Sequence, residues 1–478
     1  MSSSPSFSVR GDTSELRSAG PVLYLFGSGL LWLLVGLVFS LVAAVKLQFP
    51  TLGAEFAFLS IGRVQGAANA SLIYGFAGQA GMALTLWLLA RLGERPLPAG
   101  GLAIIAVASW NVALTFGVPG ILVGQGVAYR WLELPKEVVP LLFLSYITLA
   151  VIGTLLFFRR SQKRFSTAQA YLLVALFWFP WAFATGEVTL VYWPVRGVLQ
   201  AIIAGWYGQA ILLGWLTPIA LGGLYSILPE LSGRASRQPF YEAIGFWTWL
   251  ILSGWTAGSS LVGGPVPAWI PTLAVASGVL LIIPTVHISL SLHTSPQLRV
   301  LLSSPGLFLA TFSGISFTIS GLATALTSFR CAREVLQHTE FFTGLQQLTF
   351  FGFIALALFA GIYVAVPRLL GRKLPFPILS FLHVAGSIFG VGIVVIPLLV
   401  GGWCQGWELN SQTPIVTVVQ NLKPWLGLHA FGLLVFLGSQ FALLANLLVA
   451  VGYFLIPFGK PVLDWVLAPN QTAAVHNK

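Results

Sequence analysis

Six histidines, two cysteines and thirteen acidic residues are all that the 478-residue sequence holds for metal or proton chemistry. The histidines are His287, His293, His338, His383, His429 and His476. Neutral imidazole is the ligand that suits haem iron and copper, yet none occurs between Met1 and Val286. His287 and His293 are six residues apart, about 240° round a helix, so they do not share a face. His338 and His429 are the pair that could hold a relocated haem; the plainer alternative is that they cap helix ends or bond within a bundle. Cys331 and Cys404 are too few for a cysteine-ligated cluster. Most acids fall between apolar runs. Glu187 and Glu242 are the two that could reach into a membrane, and for Glu187 a proton-relay role stands against a position at a helix end.

The elements that must place these residues are apolar runs. The chain is 57% hydrophobic and 8% charged, whereas a soluble domain carries roughly 25% charged residues. It therefore reads as an integral membrane protein with no soluble domain. A spanning helix needs about twenty mostly apolar residues. Runs of that kind lie near 22–45, 66–90, 101–126, 138–158, 170–191, 200–228, 241–262, 269–292, 305–328, 343–366, 377–401 and 427–456, which predicts an all-α bundle of about twelve transmembrane helices. The first run is too long for a signal-peptide core and is read as a retained helix. The longest polar connection, 402–426, is expected to pack as a lid.

Lys and Arg fix the expected orientation. With twelve spans, Lys46, Arg63, Arg130, Lys136, Arg196, Arg330, Arg333 and Lys423 fall on one side, and the remaining 16 of the 24 basic residues lie on the side of the termini. Both termini are thus expected in the cytoplasm. The organisation is a polar segment 1–20, one transmembrane bundle 21–458 and a tail 459–478. A net charge of +11 distributed in this way marks orientation rather than nucleic-acid binding, and the apolar surface calls for a lipid bilayer. Cys331 and Cys404 both fall in outer loops, where an oxidising compartment could join them in a disulfide.

Several stretches, in unbroken order from about 55 to 456, resemble the catalytic subunit of the haem-copper respiratory oxidases, specifically the C-family, cbb-type cytochrome c oxidases. One is Gly205-Trp206-Tyr207-Gly208-Gln209-Ala210, followed by Tyr225 and Leu228-Pro229, where the family carries Trp-Tyr-Gly-His-Asn. A second is Phe246-Trp247 through Trp255 and Ala257-Gly258-Ser259-Ser260, then Pro267 and Trp269; the family has Trp-Ala-Gly-Pro-His-His. A third is Thr339-Glu340-Phe341, Gly344-Leu345-Gln346-Gln347 and Val366-Pro367, against Thr-Asp-Trp, Gly-His-x-His and Val-Pro. Gly402-Trp403-Cys404-Gln405-Gly406 and Lys423-Pro424-Trp425 resemble Met-Gln-Gly and His-Pro-Tyr stretches.

The resemblance implies a subunit I-like bundle, and it also implies six imidazole ligands that this sequence lacks. Carried over, the copper positions fall on Gln209, Ser259 and Ser260. The haem positions fall on Ala68, Leu345 and Gln347, and the tyrosine that the family links to a copper ligand becomes Ser253. Gln209, Gln346, Gln347, Ser259 and Ser260 would then form a neutral polar cluster. The expectation is a haem-free and copper-free relative, without catalytic or metal-binding residues, that serves a structural, assembly or regulatory role beside other respiratory-complex subunits in a bacterial inner membrane. The competing readings are an active terminal oxidase or nitric oxide reductase subunit, and a twelve-helix secondary transporter.

Overall fold

The computed structural model describes residues 18–162, 164–233, 239–293 and 298–467, and the elements among them are all helical. Eleven helices are long and apolar enough to cross a membrane. They are α1 (Ala19–Gln48), α2 (Ile61–Gly93), α3 (Gly100–Val123), α4 (Val139–Phe158), α5 (Thr167–Tyr192), α6 (Val198–Ser232), α8 (Trp269–Leu292), α9 (Pro305–Thr327), α11 (Glu340–Leu370), α12 (Pro377–Asn410) and the Ile415–Tyr453 part of α13. The expected seventh run is shorter than the rest. It gives α7 (Pro239–Ser253) and then a 3₁₀ turn at Thr256–Leu261, because Gly254, Gly258, Gly263, Gly264, Pro265 and Pro267 cannot sustain a regular helix. Counted with this element, the chain makes about twelve passes. A short helix, α10 (Arg330–Leu336), lies between α9 and α11. The bundle has a proximal face, at which α1 begins, and a distal face, at which α1 ends.

Two spans, α2 and α11, are buried all round, while α1, α3, α5, α8 and α9 each bury one side. A helix apolar on every face belongs in the centre of a bundle, so α2 and α11 form the axis. At the proximal face they are joined to α6 by an ionic knot: Arg91 donates both terminal nitrogens to the Glu230 carboxylate at 2.6 and 2.8 Å, and Arg368 donates to the same carboxylate.

The connection 402–426 is a correction to the expected lid. It is a helical hairpin: α12 continues to Asn410, and α13 starts at Ile415 and runs to Leu467. The two helices pair closely because glycines face backbone. A Cβ at Gly390 would come within 2.9 Å of the Phe436 Cα, and one at Gly432 within 2.5 Å of the Val394 nitrogen. Polar side chains tie the same seam. Gln440 Oε1 only accepts, so His383 Nε2 donates to it (3.1 Å) and Nδ1 accepts from Tyr363 (3.1 Å). Gln440 Nε2 in turn donates across the seam to Ser387 Oγ on α12 at 3.2 Å. Such interhelical bonds contribute about 0.6 kcal/mol each. The polar segment 1–17 and residues 468–478, including His476, lie outside the described residues.

Candidate functional site

Four of the six positions that the resemblance assigns to ligands, Ala68, Gln209, Leu345 and Gln347, sit on helices that change pitch beside them, while Ser259 and Ser260 lie on the 3₁₀ turn after α7. Ala68 precedes a π-helical turn at Ser71–Ala77. Gln209 is followed at once by another at Ala210–Leu216, and Gln347 by a third at Leu348–Ala355. A π turn carries an extra residue, re-aims the side chains around it, and is frequent at functional sites. Two of these turns contain a glycine against which an indole packs: Gly75 under Trp32 and Gly214 under Trp178. The pitch of these three helices therefore changes next to positions that the family resemblance assigns to ligands.

The side chains at these positions do not fit a haem or a copper ion. Ala68 and Leu345 are buried and have no donor atom. Ser259 turns its hydroxyl back to the Thr256 carbonyl at 2.7 Å, and Thr256 Oγ1 donates to the Ser253 carbonyl at 3.0 Å. Gln209 and Gln347 are half-buried. No hydrogen bond joins the side chains of Gln209, Gln346 and Gln347 among the described residues, so the expected neutral cluster is not assembled by direct contact there; the side chain of Ser260 lies outside them. Among the described residues, no group of three or more His, Cys, Asp or Glu is placed to hold a metal ion.

The histidines are dispersed. His338 occupies an exposed turn ahead of α11 at φ 67° and its Nε2 lies 3.2 Å from Gln337 Nε2. His429 is buried on α13, where Nδ1 donates to the Val394 carbonyl at 3.0 Å. His287 Nδ1 donates to its own helix at the Ile283 carbonyl (2.7 Å). Cys331 and Cys404 are two separate, exposed thiols rather than the disulfide considered from sequence.

The chemistry that is assembled lies elsewhere, beneath the distal loop between α3 and α4. Glu133, only 7% exposed, accepts from Asn69 Nδ2 at 2.7 Å through Oε1, while Oε2 is buried without a partner. Burial pushes its carboxyl up to about 7, against the opposing pull of the Asn69 hydrogen bond. Beside it the Tyr74 and Tyr207 hydroxyls lie 2.6 Å apart, Tyr74 donates to the Trp131 carbonyl, and Trp110 Nε1 donates to the Tyr74 carbonyl at 3.1 Å. Glu187 is 3% exposed, and neither of its oxygens has a partner. It is thus a buried group at the last α-helical residue of α5, directly before a π turn. Glu242 accepts from Thr167 Oγ1 at the start of α7. The cluster can hold a proton on Glu133 near neutrality, and it clamps α2, α6 and the loop together.

Glu133 falls between two expected apolar runs and is not singled out by sequence, nor is this cluster. The signal was the apolar run around it, since Trp131, Leu132 and Leu134 are all buried.

Comparison with known proteins bears on this arrangement. Residues 20–435 match the family described as Cytochrome C and Quinol oxidase polypeptide I. Among curated proteins, the chain is 22% identical to a cytochrome c oxidase subunit 1 homolog of Agrobacterium tumefaciens, over 88% of this chain and 81% of that one. It is 23% identical to a bacteroid homolog from Bradyrhizobium diazoefficiens (90% and 82%), and 21% identical to a cbb3-type cytochrome c oxidase subunit of Stutzerimonas stutzeri (81% and 84%). Its fold is similar to that of a chain from a haem-copper terminal oxidase dimer, with a TM-score of 0.64 at 15% identity, covering 90% of this chain and 84% of the other.

Proposed function

Because the chain belongs to the cytochrome c and quinol oxidase polypeptide I family, we propose that it is an oxidase-type membrane subunit that keeps the scaffold without the haem and copper centres. Its role in this reading is structural, in assembly or in regulation, within a respiratory electron-transfer complex of the bacterial inner membrane. Function lives in sites carried on folds, and a scaffold can lose the site while retaining its interfaces. One observation carries the reading: every position that the family resemblance assigns to a ligand has a side chain unable to replace imidazole. Ala68 and Leu345 bring hydrocarbon, and Ser259 spends its hydroxyl on its own turn. No electron-transfer or oxygen step is therefore assigned to these residues. The orientation that goes with the proposal has both termini in the cytoplasm, on the positive-inside bias of the loops.

The test is a reduced-minus-oxidised visible spectrum with metal analysis on the purified protein, followed by identification of the chains that purify with it. A colourless, copper-free protein that brings respiratory subunits with it is the expected result. Stoichiometric haem or copper would overturn the proposal, return the chain to the oxidases and direct attention to His338 and His429. A colourless protein without partners that is stabilised by a small-molecule substrate would favour a transporter.

A further inference from the structure

On the distal face, Arg333 is a buried cation that no carboxylate contacts among the described residues. Arg333 lies on α10, between the end of α9 and the start of α11, and is 9% exposed. Its guanidinium sits over the Phe342 ring, 4.8 Å from the centroid, and its Nε is buried with no hydrogen-bond partner. No carboxylate contacts it among the described residues; Glu334, next in the chain, is exposed. Burial alone lowers its pKa to about 10, which leaves the group fully charged at neutral pH. Removing a charge from water costs several kcal/mol unless a partner repays it, and a planar guanidinium is shaped for an oxyanion.

Where α10 sits says which oxyanion. It joins the ends of two membrane spans, at the level of the lipid headgroups. Leu326 and Phe329 precede it in the chain, Trp403 lies against Phe341 at the start of α11, and all three are exposed, an apolar rim of the kind that meets acyl chains with an indole at the interface. Arg330, one turn away on the same helix, is exposed and donates to Thr272 Oγ1 at 2.9 Å.

We propose that Arg333 is the recognition residue of a phosphate site that holds the headgroup phosphodiester of an anionic phospholipid, with the acyl chains lying on the Leu326, Phe329 and Trp403 rim. The headgroup supplies the negative charge that the chain does not. A zwitterionic headgroup carries its own cation and competes for the phosphate, so phosphatidylglycerol binds in preference to phosphatidylcholine.

The experiment is native mass spectrometry and thermal unfolding of the detergent-purified full chain, with phosphatidylglycerol, phosphatidylcholine or inorganic phosphate added. Phosphatidylglycerol should raise the unfolding temperature of the wild type and be retained as an adduct. Arg333→Gln should weaken retention roughly tenfold, and Arg330→Gln should leave it intact. Arg333→Lys keeps the charge without the fork and is expected to fall between, which preserves the test if Arg333→Gln does not fold. An Arg333-dependent shift with inorganic phosphate as large as with the lipid would support the oxyanion site and assign its source as free phosphate. Equal losses from the two arginine-to-glutamine variants would mean general charge attraction and overturn the site. So would an Arg333→Gln variant that sheds a co-purified protein with no change in bound phospholipid, because the counter-charge would then be a subunit's carboxylate.

Discussion

The Tyr74 hydroxyl on α2 and the Tyr207 hydroxyl on α6 lie 2.6 Å apart in the interior, and the Trp131 carbonyl of the distal loop receives the proton of Tyr74. The two tyrosines are not equivalent. With Tyr207→Phe, Tyr74 keeps its bond to Trp131, and the loss should be about 1 kcal/mol. With Tyr74→Phe, the Tyr207 hydroxyl is left with only a distant Trp131 carbonyl at 3.4 Å, so the loss should approach the cost of an unsatisfied buried hydroxyl, about 2–3 kcal/mol. Thermal unfolding of the two variants in detergent checks the order; a Tyr207→Phe variant as damaged as Tyr74→Phe would contradict it.

Glu133 should make stability depend on pH in an uncommon direction. Its carboxyl rises from the usual 4.5 to about 7 in the folded protein, so the folded state binds more protons than the unfolded state between those values. Stability is then highest below 4.5, falls as pH rises through the window and levels off above about 7. The full effect of this one group is about 3 kcal/mol. Glu133→Gln should flatten that component of the profile, while retaining an acceptor for Asn69. A variant whose unfolding temperature keeps the wild-type slope between pH 5 and pH 7.5 would exclude Glu133 as its source.

Composition and periodicity made the bundle legible because the membrane imposes length and polarity on every span, and eleven of the twelve expected runs fall on single spanning helices. The failures have local causes. The 402–426 stretch is rich in Trp, Gln, Asn and Thr, which reads as a loop. Yet Gln405 Oε1 accepts from the Glu340 nitrogen at 2.9 Å and Asn421 Nδ2 donates to Glu408 Oε1 at 2.9 Å, so polar side chains there serve helix contacts. The seventh run was over-extended because apolar content hid its glycines and prolines. The residue types at the positions that the resemblance assigns could be read from sequence, since no histidine lies between Met1 and Val286 in any register. The π turns beside Ala68, Gln209 and Gln347 could not, because pitch depends on tertiary packing, such as that of Trp32 on Gly75 and of Trp178 on Gly214. Glu133 was not singled out because its burial comes from a loop folded inward.

At the proximal face, Glu230 should matter more than either arginine it binds. Glu230→Gln leaves Arg91 and Arg368 facing each other around a neutral group. The side chains remain partly exposed, at 26% for Arg91 and 24% for Glu230, which tempers the repulsion, and a loss of about 2 kcal/mol is expected. Arg368→Gln keeps the two-bond Arg91–Glu230 pair and should cost under about 1 kcal/mol. Urea or thermal unfolding at low and high salt separates the cases. If Arg368→Gln proved the more harmful, the knot would depend on α11 rather than on the shared carboxylate.

Gly402 gives the sharpest test of how the distal hairpin is seated. An added Cβ there would fall on the Phe341 backbone nitrogen and the Glu340 carbonyl carbon, at the first turn of α11. Backbone cannot move aside as a flexible side chain can, so Gly402→Ala must push α12 away from α11. That also pulls Gln405 from the Glu340 nitrogen it caps, and the expected loss is at least about 3 kcal/mol. Gly438, on the facing α13, has nothing within 4 Å of its would-be Cβ. Gly438→Ala removes unfolded-chain entropy without a clash, and should therefore be neutral or stabilising by up to about 1 kcal/mol. The same substitution in two neighbouring helices thus has opposite expected signs, and unfolding temperatures read both at once. Two variants that lose stability equally would mean that alanine is disfavoured in this hairpin for a reason other than contact with α11. A harmless Gly402→Ala would mean that the hairpin stands clear of α11, and the distal face would then need a different packing.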